Sequence, residues 1–456
     1  MITYSIIQKS QLEGALRLDA DFYEPYYFDL EKKIKNKKWD YLGNLIVFNR
    51  RGIQPKYTDT PTKCRAVVSQ NILEDFLDVD NLPFVEKDFF NSKQAQAVKI
   101  KPFDILIYTT GANIGRTNIF YPKTIEAIAS NHVNIIRADE SKINQLYLGI
   151  FLQSKIGRDW TDRWASGSDQ EEIYPEDFEK FPVLIADNDI QNEIANLVLQ
   201  SFEFIESSNK LYSQAENLLL EELGLKDFKV EDDLFYIINL SKIKSAHRAD
   251  AEYFQPKYER LISKIKYKME KLNNLLLPKK GIKKGIEIGS EQYQEEGKLF
   301  IRVSNLSKHG LVERDQKYLS EALYQKLKKD FEPKVGEILL TKDATPGIAY
   351  LLKEPIEGII AGGILRLRVK PDIDPEYLAL VINSIAGQMQ VEKDTGGSVI
   401  FHWRPDQIKN LLIPILPKPT QQKIADLVQK SHEARKKAKQ LLEEAKRKVE
   451  ETIEKN

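Results

Sequence analysis

From Asn188 to Leu223 the apolar and small positions recur in alternating steps of four and three: Ile190, Ile194, Leu197, Ser201, Phe204, Ser208, Leu211, Ala215 and Leu218. That period predicts one long helix whose seam packs lengthwise on another helix. Gly224, just past Leu223, stands where a left-handed helix stop is expected. The C-terminal stretch repeats the design with Ile424, Leu427, Ser431, Ala434, Ala438, Leu441, Ala445 and Val449, and small residues in mid-seam allow close axial approach. The two stretches are also entered alike. Phe181-Pro182-Val183-Leu184-Ile185 leads to Gln191-Asn192-Glu193-Ile194-Ala195-Asn196-Leu197-Val198, and Ile413-Pro414-Ile415-Leu416-Pro417 leads to Gln421-Gln422-Lys423-Ile424-Ala425-Asp426-Leu427-Val428. Copies about 230 residues apart describe two versions of one unit rather than a short-period solenoid.

Further blocks recur in the same order. Arg17-Leu18-Asp19-Ala20-Asp21-Phe22-Tyr23-Glu24-Pro25 opens a helical pattern to Lys35, and Arg248-Ala249-Asp250-Ala251-Glu252-Tyr253-Phe254-Gln255-Pro256 opens another to about Leu272. Short apolar strands are predicted at Phe103–Ile107 and Gly336–Leu340, each followed by a polar loop, and again at Val133–Arg137 and Ile364–Arg368. A helix follows in both halves, Tyr147 to Gly157 and Tyr377 to Gly387, and then the loops Ser166-Gly167-Ser168 and Gly396-Gly397-Ser398. The order divides the chain into a mixed α/β domain at 1–186, a helical spacer at 187–226, a second mixed domain at 227–419 and a closing helix at 420–456.

Composition narrows the function classes. A chain of 456 residues with 42% hydrophobic and 30% charged residues has the makings of two or three domains with ordinary cores. The single cysteine, Cys64, excludes an internal disulfide framework and a thiolate metal cluster, which suits a reducing cytoplasm. No apolar run reaches the roughly 20 residues of a membrane span, and Met1-Ile2-Thr3-Tyr4-Ser5 lacks the pattern of a signal peptide. A cytoplasmic protein is expected. The formal net charge of zero argues against a mere polyanion sponge and still permits local basic clefts. No Gly-rich loop ending in Gly-Lys-Ser or Gly-Lys-Thr occurs, nor His-Glu-x-x-His, Gly-x-Ser-x-Gly or the Asn/Asp-Pro-Pro-aromatic stretch of amino-methyltransferases. Asp372, Asp374 and Glu376 read as the cap and first turn of a helix rather than as a metal site.

With these features the chain resembles the specificity subunits of type I restriction-modification systems. The resemblance rests on the run from Ile413 to Ala425 placed before a long helix, and on the repeated Arg-x-Asp-Ala-acid motif. The first half departs from the family's proline-rich entry with Ile185-Ala186-Asp187-Asn188-Asp189, which bears on the local turn alone. The resemblance implies an α+β fold. Two mixed α/β target-recognition domains would form a pseudo-twofold tandem repeat, separated by two long helices that make an antiparallel coiled-coil pair. It further implies a chain without catalysis of its own. Such a chain binds a two-part double-stranded DNA sequence and directs two methyltransferase subunits, and restriction subunits, to it. S-adenosylmethionine, ATP and Mg²⁺ would belong to those partners. A helix of about 35 residues is roughly 50 Å long at 1.5 Å per residue. Successive major-groove faces lie about 34 Å apart, so the pair would act as a ruler. The rival classes are a protein-only scaffold and a self-sufficient nuclease.

Base readout in the major groove calls for Arg or Lys toward guanine, Asn or Gln toward adenine, and Ser or Thr as adaptable partners. Loop-borne groups of this kind in the first half are Arg50, Arg51, Lys56, Thr109, Thr110, Asn113, Arg116, Asn131, His132 and Ser168. The second half offers Lys279, Lys280, Lys283, Lys284, Arg302, Ser304, Asn305, Lys308, Lys342, His402 and Arg404. Crowded like charges at Lys279-Lys280-Gly281-Ile282-Lys283-Lys284-Gly285 and at Arg50-Arg51-Gly52 point to phosphate, whereas an isolated surface cation is ordinarily just solvated. The basic residues of the C-terminal helix alternate with glutamates and read as a solvated flank.

Overall fold

The structure is a computed structural model. It describes the chain except residues 1–4, 11, 13–16, 112, 122–123, 168–170, 396–401 and 455–456. Its contacts divide the chain into two compact units, residues 1–204 with 436–456, and residues 205–435.

The first unit is built on an antiparallel sheet of strands β1 (Ile46–Arg51), β2 (Ile105–Tyr108), β3 (Thr117–Ile119) and β4 (Val133–Ala138), in the spatial order β1-β4-β2-β3. The second unit has β5 (Ile282–Lys284), β6 (Ile338–Thr341), β7 (Ala349–Leu351) and β8 (Ile364–Leu367) in the corresponding order β5-β8-β6-β7. The middle strands are apolar runs buried on both faces, which is why they read as continuous hydrophobic stretches rather than as alternation. A parallel strand pair accompanies each sheet, Cys64–Val67 with Glu126–Ala129 and Lys298–Ile301 with Gly358–Ile360.

Equivalent polar residues fasten equivalent elements in the two units. Arg17 forms an ion pair with Asp19 at 2.7 Å and donates to the Trp164 carbonyl at 2.9 Å; Arg248 pairs with Asp250 at 2.6 Å and donates to the Asp394 carbonyl at 2.9 Å. The Arg-x-Asp motif is therefore a clamp from the start of each α/β segment to the end of the helix Lys155–Trp164 or Ile385–Thr395. Asn144 accepts from the backbone N–H of Leu146 and Tyr147, and Asp374 from those of Glu376 and Tyr377. The acidic run at 372–376 is thus a helix cap, as its sequence suggests. Both domain helices break at a serine, giving Gln145–Gln153 then Lys155–Trp164, and Pro375–Asn383 then Ile385–Thr395. One continuous helix was expected in each place. Instead, Ser154 and Ser384 take extended backbone and turn their hydroxyls back to the carbonyls of Phe151 and Val381. The helix expected to reach Leu272 also stops early, at Lys264, because Met269–Lys271 is needed as a strand against Leu412–Pro414.

The long helices are α1 (Asn188–Leu223, 36 residues) and α2 (Lys418–Glu454, 37 residues). Gly224 ends α1 with φ +70°, and the Leu225 amide donates back to the Leu220 carbonyl at 2.8 Å, as a left-handed stop requires. Each unit holds one stretch of both helices. In the first, Ser201 donates its hydroxyl to the Ala438 carbonyl at 2.9 Å and Lys448 pairs with Glu193 at 2.7 Å, so the two helices run in opposite directions there. In the second, the Ser431 hydroxyl donates to the Ser208 carbonyl at 2.8 Å. These serines are fully buried, and their small side chains let backbone and hydroxyl meet.

The buried stripe of α1 departs from the expected seam. Ile194 is buried and Ile190, Leu197, Leu211 and Leu218 are half-buried, but Phe204 is exposed at 36%, while Phe202 and Ile205 are buried. The cause is a second packing surface: the Phe202 ring stacks on Tyr121 at 5.0 Å, so α1 is covered by the α/β layer as well as by α2. On α2, Ile424, Ala438, Leu441 and Ala445 are buried and Leu427 and Ala434 half-buried.

Candidate nucleic-acid interface

Antiparallel pairing brings the C-terminal ends of β1 and β2 and the N-terminal end of β4 to one edge of the first sheet, where Arg51 stands opposite Asn134 and Tyr108 opposite Val133. That edge gathers Arg51, Thr110, Asn131 and His132, which lie far apart in sequence. Arg51 donates to the Thr110 hydroxyl at 3.0 Å and to the Asn131 carbonyl, and forms an ion pair with Glu172 at 2.5 Å. Asn131 and His132 side chains meet at 3.1 Å. Burial pushes the Glu172 carboxyl up, but its bonds with Tyr174 and Arg51 outweigh this and hold it below the usual carboxylate range.

The matching edge of the second sheet is formed by the ends of β5 and β6 and the start of β8. Here Lys342 and His402 both hold Asp343, the latter through Nδ1 at 2.8 Å, and Lys284 pairs with Glu287 at 3.3 Å. Burial pushes the Asp343 carboxyl up, yet the His402 and Lys342 contacts leave it below its ordinary value.

The two edges share one backbone frame. The Thr109 amide donates to the His132 carbonyl, and the Lys342 amide to that of Gly363; the Ile173 amide donates to the Thr109 carbonyl, and the Trp403 amide to that of Lys342. Thr110 bridges to Glu172 and Asp343 to His402. Gly52 and Gly285 are equivalent as well. A Cβ at Gly52 would overlap the carbonyl oxygens of Ala129 and Ser130, and one at Gly285 those of Ile360 and Ala361. The Arg-Gly and Lys-Gly pairs thus have a dual cause: glycine lets the strand end pass the neighbouring loop, and the preceding cation is delivered to the edge.

Other expected contact residues fare differently. Thr109 is fully buried and Asn305 is 1% exposed, so neither reaches a base. Asn305 instead accepts from its own turn's Arg302 amide and donates to the Val312 and Arg314 carbonyls, as Asn71 does in the first unit with Val68, Asp78 and Asn81. Arg116 is half-buried beside Glu74 at 3.4 Å, Arg302 pairs with Asp315 at 2.8 Å, and the Lys308 ammonium lies 5.1 Å from the Tyr212 ring of α1. Arg404 is exposed beside Asp406 at 3.4 Å. Arg50, Lys56, Lys279, Lys280 and Lys283 are exposed, and Asn113 and Ser304 half-buried. Ser168 and the Gly396-Gly397-Ser398 loop lie outside the described residues. Glu172, Tyr174 and Asp343 are not residue types that base or phosphate contact singles out, and the signal for Asp343 is its place in the loop after β6, next to Lys342.

Among the described residues no group of three or more His, Cys, Asp or Glu is placed to hold a metal ion, and no helix is long and apolar enough to cross a membrane. Polar edges of this kind, donors and acceptors gathered at strand ends on a rigid sheet, are suited to a polar ligand surface. The comparisons give the class: residues 277–447 match the profile of the type I restriction modification DNA specificity domain. That match lies in the second half of the chain, over the second α/β domain and most of α2. Among solved structures it is similar to the type I restriction-modification system S subunit from M. genitalium, at 14% identity, with 91% of this chain and 96% of that one covered and a TM-score of 0.40. It is also similar to the HsdS subunit from Thermoanaerobacter tengcongensis, at 12% identity, with the same coverages and a TM-score of 0.28. No curated protein matches.

Proposed function

We propose that this chain is the non-catalytic DNA-specificity subunit of a type I restriction-modification complex, in which two target-recognition domains in pseudo-twofold tandem read the two halves of a bipartite double-stranded target. The observation that carries the reading is the repeated sheet edge. One backbone frame bears Arg51, Thr110 and Glu172 in the first unit, and Lys284, Asp343 and His402 at the matching positions of the second. A scaffold kept constant while its tip residues change is what two different half-sites require. In this reading α1 and α2 pair as an antiparallel coiled coil that sets the spacing and receives two methyltransferase subunits, with restriction subunits joining them. S-adenosylmethionine, ATP and Mg²⁺ are then used by those partners, and the complex works in the cytoplasm. The test is selection from random duplexes by the chain assembled with its methyltransferase. A two-part motif is expected, and exchange of residues 1–186 for another recognition domain changes one half only. Recovery of no motif, or a change in both halves, overturns the reading.

A further inference from the structure

The second unit's edge carries a histidine, His402, where the first carries Glu172. Asp343 is held below its ordinary value and is therefore a carboxylate, which only accepts hydrogen bonds. The nitrogen that meets it at 2.8 Å, His402 Nδ1, must then be the donor and carry the hydrogen. In a neutral imidazole this leaves Nε2 with a lone pair. The His402 side chain is 65% exposed, and no described residue bonds its Nε2. The charged groups around the pair are Lys342 on Asp343 and, two and four residues on, the Arg404–Asp406 pair. The edge thus presents an outward acceptor with its orientation fixed from behind.

Phosphate and sugar oxygens of duplex DNA only accept, so an outward acceptor has no partner on the backbone. The donors that DNA offers in the major groove are the exocyclic amino groups, adenine N6 and cytosine N4. Resting on the reading that this edge faces DNA, we propose that His402 is a specificity-determining residue. Its Nε2 accepts from a major-groove amino group in the half-site read by the second unit, and Asp343 is the positioning residue that sets its tautomer. The first unit has Glu172 at the place of His402, engaged by Arg51.

The test is random-duplex selection at pH 8.5 by the full chain with its methyltransferase, comparing wild type with His402→Ala, Asp343→Leu and the double variant. Relaxed preference at one base position of one half-site is expected, by roughly 5- to 150-fold, with the double variant no worse than His402→Ala. His402 is exposed, so His402→Ala is expected to fold. Imidazole ¹⁵N shifts at the same pH give a second readout: a hydrogen on Nδ1 in wild type, and loss of that tautomer in Asp343→Leu, which has no acceptor. A wild-type chain that selects no motif sinks the DNA-reading interpretation itself. A wild-type motif that His402→Ala leaves unchanged, a uniform loss with a shallower salt dependence as for a phosphate contact, or a hydrogen on Nε2 overturns this inference alone.

Discussion

Replacing Gly52 by alanine tests the sheet edge at its tightest point. The added Cβ would meet the Ala129 and Ser130 carbonyl oxygens at well under 3.0 Å. A carbon and a carbonyl oxygen settle at about 3.3 Å, so the loop must retreat by about 1 Å. The bonds strained are Gly52 N–H to the Val133 carbonyl at 2.9 Å and Ile53 N–H to the Ala129 carbonyl at 3.1 Å. At about 0.5–1.5 kcal/mol net for each, the cost is about 1–3 kcal/mol. That is local, so amide hydrogen exchange over residues 48–54 is the direct assay, with roughly 5- to 150-fold faster exchange expected. Asn131 lies in the displaced loop and its carbonyl accepts from Arg51, so base preference in the first half-site should relax while the second stays intact. Gly285→Ala should do the mirror image through its bond to the Ile364 carbonyl at 3.1 Å. Unchanged exchange with an unchanged motif would refute the claim that these glycines place the readers.

Arg51→Ala removes the donor from the first edge and should relax one base position by roughly 5- to 150-fold in duplex selection, with Arg51→Lys failing to restore it because a point charge does not replace the fork. Phe202→Ala should cost about 3–5 kcal/mol in denaturant melts, whereas Phe204→Ala, on the exposed side of α1, should stay within about 0.5 kcal/mol; equal losses would contradict the observed stripe. Burial raises the Asp394 carboxyl above its ordinary value, against the bond it accepts from the Trp403 indole at 3.1 Å. A raised carboxyl contributes stability below its unfolded value and loses it as pH rises through the folded value. Asp394→Asn keeps an acceptor for Trp403 and should make melts at neutral pH more stable than wild type and less dependent on pH; a variant less stable at pH 7 would count against it.

Much of the architecture was legible because the repeat restates it. The Arg-x-Asp motifs, the strand runs and the helix entries each occur twice, and the structure gives each pair the same job. The α1 seam was legible in period but not in phase, since a helix packed on two surfaces buries a stripe too broad to be read from a seven-residue pattern: Phe204 and Phe202 are equally apolar in sequence. Helix ends were misread where a strand pairing distant in sequence, Met269–Lys271 with Leu412–Pro414, overrode a local helical pattern. At the edges, the cations are legible from residue type and their acid partners are not. Asn305 illustrates the opposite error, a residue type suited to adenine that the fold spends on its own turn.

The most direct measurement is the methylated motif in DNA from cells expressing this chain with its methyltransferase. Two short specific blocks separated by a fixed run of unspecified bases are predicted, with the run altered, and both blocks retained, when matched turns are removed from α1 and α2. A single uninterrupted motif, or a spacer indifferent to helix length, would contradict the account.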